Sequence, residues 1–210
     1  LRRAANGILQ IIWTNKWQIN INELIIKSIK YWDQLFPNLN IDTNKVINDI
    51  SEFLDQRIIS LLEELGTDID LIQSLTGQTV SIKSILCDPY DVRLRAELLT
   101  KMRASGELLL VQTVVTRAYK LAENCTLPLE TLSASGVVDS NLFEKSSELE
   151  MLKVLNSLEP IVKSKSRNRY LELANGLASG SKALSEFFDG DNSVMVMTEN
   201  INIRSNRLNL

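Results

Sequence analysis

The side chains able to do acid–base or nucleophilic chemistry here are carboxylates, lysines and two solitary cysteines, because the 210-residue sequence contains no histidine. That excludes a Ser-His or Cys-His pair, a His-ligated zinc and an imidazole general base. Cys87 and Cys125 stand far apart, each in an apolar-flanked stretch, so neither a disulfide framework nor a cysteine zinc site has its spacing. A reducing compartment fits this usage. Asp68 and Asp70 in TDIDL offer oxygen ligands, yet two acids at a helix start are more simply a cap and a dipole partner. GLASGSK, residues 176–182, lacks the four-residue glycine spacing, the Gly-Lys-Ser/Thr ending and the preceding strand of a phosphate-binding loop. The sequon NCT at Asn124 has no meaning without a secretory context. No catalytic residue and no metal ligand set emerges.

What remains is charge. The formal net charge is −3, but it divides unevenly along the chain. Between residues 46 and 72 the acids Asp49, Glu52, Asp55, Glu63, Glu64, Asp68 and Asp70 face one base, Arg57. Between residues 93 and 120 the bases Arg93, Arg95, Lys101, Arg103, Arg117 and Lys120 outnumber Glu97 and Glu107, and a second basic knot, KSKSRNR, runs over 163–169. Such a chain can turn a positive face to a polyanion; solvated helix faces are the plainer reading of any single cluster. No apolar run approaches the roughly 20 residues that span a bilayer, so no membrane is expected.

The elements that must carry these groups read as helices almost throughout. In KVINDISEFLDQRIISLLEELG the apolar residues recur every three or four positions, Asp42 or Thr43 can cap the start, and Gly66 can end the helix. Asp88-Pro89 opens another, and Ser105 is expected to cap the next, giving an α-hairpin that carries most of the basic residues. INELIIKSIKYWDQL, SSELEMLKVLNSLEPIV and RNRYLELANGLASGSKALSEFF share the pattern. Alternation of period two is confined to VMVM, residues 194–197, too short for a sheet. TLPLETLSASGVVDS, residues 126–140, reads as a loop. The fold class is all-α, a helical bundle. Trp13, Trp17, Trp32, Phe187 and Phe188 are assigned to packing. The abrupt ends suggest a piece of a longer protein.

Four ordered segments carry a resemblance. FFD (Phe187 to Asp189), then VMVM, then Arg204, Asn206, Arg207 and Leu208 resemble the C-terminal signature of the beta subunit of bacterial-type, heterotetrameric glycyl-tRNA synthetase. LRRAANGILQII resembles the LRR segment following that family's HD-like region, Phe53 and Arg57 its F-x-x-x-R helix, and LFEKSSELEML from Leu142 its LFE-x-x-x-E segment. The region resembles an anticodon-binding domain named for an Asp-Ala-Leu-Arg motif and shared in fold with arginyl-tRNA synthetase. Of that motif only Arg204 is retained; GDNS lengthens the FFD-to-VMVM spacing, and Thr116 and Lys120 replace an expected Lys and Asn.

The resemblance implies that residues 1–41 end a preceding HD-like or linker region and that 42–210 form the helical anticodon-binding domain, truncated at its C-terminus. It implies a part of glycine-tRNA ligase, with ATP and magnesium used by the whole enzyme and no cofactor in this stretch. The implied partners are tRNA-Gly and an alpha subunit, or an alpha-like half of the same chain. The implied compartment is the bacterial cytoplasm, or a plastid or mitochondrion for an organellar parent. Lys101, Arg103, Arg117 and Lys120 are expected to meet phosphates, and Arg204, Asn206 and Arg207 to contact or orient the anticodon stem-loop. An alternative for Arg204 and Arg207 is a clamp on Asp189 or Glu186. The rival reading of the whole is a helical protein–protein interaction module docking a partner subunit.

Overall fold

The computed structural model describes residues 1–38, 41–123 and 137–210. The described residues form ten α-helices and one 3-10 turn, with no strand among them. They divide into two compact units, residues 1–101 and 102–210.

The first unit holds α1 (Arg2–Thr14), α2 (Ile21–Leu35), α3 (Thr43–Glu64), α4 (Ile69–Thr76), α5 (Ile82–Cys87) and most of α6 (Pro89–Ser105). Helical periodicity sets what each buries: Leu9, Ile12 and Trp13 from α1, Ile21, Ile25 and Ile29 from α2, and Leu54, Ile58, Leu61 and Leu62 from α3. Each such aliphatic side chain taken from water contributes about 1.5–3 kcal/mol. The caps follow the sequence. The Asp42 side chain accepts from the Lys45 amide at 3.1 Å, and Gly66 takes the left-handed conformation that ends α3, at φ +80°. Asp88 accepts from the Asp91 amide at the start of α6, and the Trp13 indole N–H donates to the Pro89 carbonyl at 2.9 Å, tying α1 to that start. α1 and α2 both pack on α3 in one core.

The outer side of these helices is less well covered. Trp17 and Trp32 are about half exposed, with Trp32 stacked on Phe36 at 5.0 Å, so the assignment to packing holds for Trp13 and not for them. With Ile8, Ile11, Leu24 and Ile50 they line an apolar groove of about 850 Å³ within this unit.

The second unit holds α7 (Glu107–Ala122), α8 (Ser146–Lys163), α9 (Arg169–Phe188) and α10 (Ile201–Leu208), with the 3-10 turn Ser140–Leu142 before α8. Ser105 does not cap α7: its hydroxyl donates back to the Met102 carbonyl within α6, and Gly106, at φ +80°, makes the turn instead. The helices of the expected α-hairpin thus both form, with α6 shared between the units. GLASG explains itself as a contact surface. A Cβ on Gly176 would lie 2.5 Å from Leu158, and one on Gly180 2.6 Å from Val154, so the two glycines let α9 lie close against α8. VMVM is not a strand, yet it alternates: Val194 and Val196 are buried with Met151, Leu184 and Phe187, while Met195 and Met197 face out. Phe187 is core and Phe188 partly buried, edge-on to it. Most of the expected loop at 126–140 lies outside the described residues, as do Asn124 and Cys125.

Candidate nucleic-acid interface

The seven residues expected to meet RNA fall into different environments. Lys101 is exposed near the end of α6 and Arg103 is half-buried in its last turn. Lys120 is exposed on α7, as is Arg117. Arg204 is half-exposed on α10, while Asn206 and Arg207 on the same helix are buried.

Arg207 is the centre of a buried ionic latch. Its Nε donates to Glu148 Oε1 at 2.8 Å, one terminal nitrogen donates to Glu144 Oε2 at 2.7 Å, and the other to the Met195 carbonyl at 3.1 Å. Glu148 in turn accepts from the backbone amides of Glu144 and Lys145, at 2.7 and 2.8 Å, closing the N-terminus of α8 as a capping-box acid does. Burial alone pushes the Glu148 carboxyl up, but the hydrogen bond from Arg207 and the two amides outweigh it and hold the group below its ordinary value. Burial likewise depresses the Arg207 guanidinium, and its bonds to Glu148 and Glu144 leave it raised.

Asn206 works beside it. Its side chain accepts from the Asp139 amide at 2.7 Å and donates to the Asp139 carbonyl at 2.9 Å. Ser147 donates to the Asn192 carbonyl at 2.5 Å. Together these bonds fasten the LFE segment and the loop after FFD to α10. Asn206 and Arg207 are therefore structural in this fold, with no polar surface left for RNA. The physical reason is burial: an arginine enclosed by two carboxylates and a carbonyl is already fully engaged.

Arg117 is engaged in another way. Both its terminal nitrogens donate to the Asp189 carboxylate, one at 2.7 Å, and its guanidinium lies 4.6 Å from the centre of the Phe188 ring. The hydrogen bonds from Arg117 hold Asp189 below the usual carboxylate range, and Asp189 raises Arg117 in return. FFD thus has a clamp, supplied by α7 rather than by Arg204 or Arg207. The pair is solvent-exposed, so its neutralised charge matters more than its strength. Arg204 has no ion pair among the described residues and is half-exposed, and Lys101 and Lys120 are exposed.

Sequence reasoning noted the knot at 163–169 without assigning it to the site. It forms the elbow between α8 and α9, where Lys163, Lys165 and Arg167 are exposed. Its signal was available as an acid-free run from residue 160 to 171. Among the described residues no three acidic or cysteine side chains converge to hold a metal ion, and no helix is long and apolar enough to cross a membrane.

Comparison with known proteins gives this arrangement a lineage. Residues 1–77 match the sequence profile of the family described as glycyl-tRNA synthetase beta subunit. The whole chain is 35% identical over 213 residues to the glycine–tRNA ligase beta subunit of Acaryochloris marina, covering 29% of that protein. It is 36% identical over 214 residues to the same subunit of Gloeothece citriformis, again covering 29% of it. A more distant relative, the same subunit of Acinetobacter baylyi, is 29% identical over 213 residues, 28% of its length. The chain thus spans under a third of the length of the curated relatives it matches.

Proposed function

We propose that this chain, which is similar along its whole length to glycine–tRNA ligase beta subunits, binds the anticodon stem-loop of tRNA-Gly as part of a glycine–tRNA ligase. The observation that carries this reading is the alignment of the entire chain with beta subunits, joined to helices that bear exposed cations. An anticodon loop presents splayed bases, which rigid side chains can stack on and read at their edges, between phosphates that need positive charge. Lys101, Lys120 and Arg204 supply that charge in this reading. Arg103 is too enclosed to lead, and the buried latch of Arg207 and Asn206 fixes the end of α10 from which Arg204 projects.

The parent enzyme would join glycine to tRNA with ATP and magnesium, its aminoacylation chemistry residing in an alpha subunit or an alpha-like half of the same chain. A bacterial parent would work in the cytoplasm, an organellar one in a plastid or mitochondrion. The test is binding of the chain to tRNA-Gly, to the same tRNA with its anticodon replaced, and to an unrelated tRNA across a salt series. A preference for the glycine anticodon that persists as salt rises supports base readout, since phosphate contacts weaken alike for all three. Equal binding to all three removes the anticodon assignment.

One observation favours a second reading for residues 1–101. The apolar groove with half-exposed Trp17 and Trp32 has the character of a protein-docking face rather than of an RNA surface. Here the partner would be the alpha subunit. Trp17→Ser with Trp32→Ser would then weaken subunit association in sedimentation while leaving tRNA binding unchanged.

A further inference from the structure

We propose that the apolar groove of residues 1–101 receives an apolar segment of the alpha subunit that carries a carboxylate, and that Arg57 anchors that carboxylate. The proposal deepens the docking reading given above and rests on it.

The groove is an excess of apolar surface over what one core covers. A surface helix needs an apolar stripe roughly 100° wide to hold its place. On α1 the core takes Ala5, Leu9, Ile12 and Trp13, while Ile8 and Ile11 stay about half exposed on the adjoining flank. On α2 it takes Ile21, Ile25 and Ile29, while Leu24 and Trp32 stay about half exposed. With Ile50 and Phe53 of α3, three helices turn spare apolar flanks into one groove, and among the described residues no charged side chain lines it. An RNA backbone needs cations along its path, whereas a protein segment with an apolar face fits such a lining.

The charge of the occupant is read from Arg57. It stands one turn beyond Phe53 on α3, its guanidinium carbon 5.8 Å from the centre of the Phe53 ring, beside the groove that Phe53 lines. Its Nε is buried without a hydrogen-bond partner, and Arg57 forms no ion pair among the described residues. Acids are not lacking: seven lie between residues 46 and 72, where Arg57 is the one base, yet none of them pairs with it. A guanidinium with an enclosed, unsatisfied N–H weakens the isolated fold. A carboxylate completes it, accepting from Nε and a terminal nitrogen together. The ring of Phe53 holds the guanidinium in place for that contact. The partner, the alpha subunit in the docking reading, is then recognised by an acid at the edge of an apolar face.

The test mixes the 210-residue chain with the alpha subunit of the same source and reads association by sedimentation velocity over a salt series. It compares the parent chain, Arg57→Met, the pair Trp17→Ser with Trp32→Ser, and a control, Lys45→Gln, which removes an exposed cation from the same helix. Arg57→Met is expected to weaken association roughly tenfold and to flatten its salt dependence, as loss of one enclosed charge pair does. Because the enclosed N–H leaves with the guanidinium, the thermal midpoint of the Arg57→Met chain alone is expected to hold or rise. The control is expected to match the parent chain.

An Arg57→Met chain that associates like the parent overturns the anchor; if the two serines still weaken association, the docking reading stands without it. Where neither variant changes association, or the parent chain does not bind the alpha subunit, both fall together. Equal losses in Arg57→Met and Lys45→Gln reduce the effect to net charge and overturn the anchor. A thermal midpoint that falls with Arg57→Met assigns the side chain to the packing of the fold and overturns it as well. So does tRNA binding that weakens while association holds, which makes Arg57 an RNA contact. A parent chain that pairs with itself and is dispersed by the two serines makes the occupant a second copy, and the alpha-subunit assignment fails.

Discussion

Arg207 donates from its Nε to Glu148 at 2.8 Å across 59 residues of sequence, and Glu148 is fully buried at that contact. This one pair ties the C-terminal helix to the helix that follows the LFE segment. Glu148 caps α8 with one oxygen and receives the guanidinium with the other, so α10 is fastened to the start of α8.

Arg207→Ala should therefore unfold or loosen the second unit. It leaves an enclosed carboxylate without its counter-charge, a change that costs about 3–5 kcal/mol. Because Glu148 is held below its ordinary value when folded, the latch stabilises above the unfolded carboxylate range and is lost as pH falls through the lower folded value. Urea denaturation of the wild type should weaken with acidification, and Glu148→Gln should flatten that dependence. An Arg207→Ala chain with unchanged urea midpoint and weaker tRNA binding would reverse the assignment from latch to RNA contact.

Arg117 and Asp189 make the opposite kind of pair, exposed and neutralised. Arg117→Gln should leave the salt slope of tRNA binding unaltered, because its charge is already matched. Asp189→Asn should steepen that slope by about 0.7–0.9, the share of one cation newly available to phosphate. Isothermal titration at several salt concentrations reads both. A drop in slope for Arg117→Gln would mean that RNA displaces Asp189 from Arg117.

Local signals were legible in the sequence, and long-range partnerships were not. Periodicity located α2 and α8, and the Asp42 and Asp88 carboxylates, which act within one turn, marked the starts of α3 and α6. The turn at Gly106 was misattributed to Ser105 because both residues suit a helix boundary, and only backbone conformation separates them. Which acid Arg207 would find could not be read from spacing: Asp189 and Glu186 are near it in sequence, whereas Glu144 and Glu148 are near it in space. Trp17 and Trp32 lie on or beside helices whose apolar stripe is wider than the core that covers it. The candidate cations were visible as charges, but their neutralisation by Asp189 or Glu148 belongs to tertiary structure.

Asp55 carries the third prediction. It is buried on α3, its Oδ1 has no hydrogen-bond partner among the described residues, and burial raises its carboxyl above the ordinary value. A folded pKa above the unfolded one means the folded chain holds the proton more tightly. The stabilising contribution is then full below the unfolded value, about 3.9, and is lost as pH rises through the folded value. Asp55→Asn removes the charge and should stabilise the chain at neutral pH by on the order of 1 kcal/mol. Urea midpoints of the two chains should converge as pH is lowered; a variant less stable at neutral pH would show that the carboxylate has a necessary ionised role.

The glycines of α9 and α1 supply the last prediction, as a matched contrast. Gly180 is buried where α9 meets α8, and a Cβ there would lie 2.6 Å from Val154, a branched side chain with little rotamer freedom in a helix. Gly180→Val places three carbons in that space, so the helices must separate or Val154 must leave its rotamer, at about 1–3 kcal/mol. Gly7, within α1, is open: a Cβ there would meet nothing within 4 Å, and φ is helical. Gly7→Ala should therefore stabilise by about 0.5–1 kcal/mol, since alanine loses less backbone entropy than glycine in a helix. Thermal midpoints measured side by side should move in opposite directions. If Gly180→Val is tolerated as well as Gly7→Ala, then α8 and α9 do not approach as closely as GLASG requires.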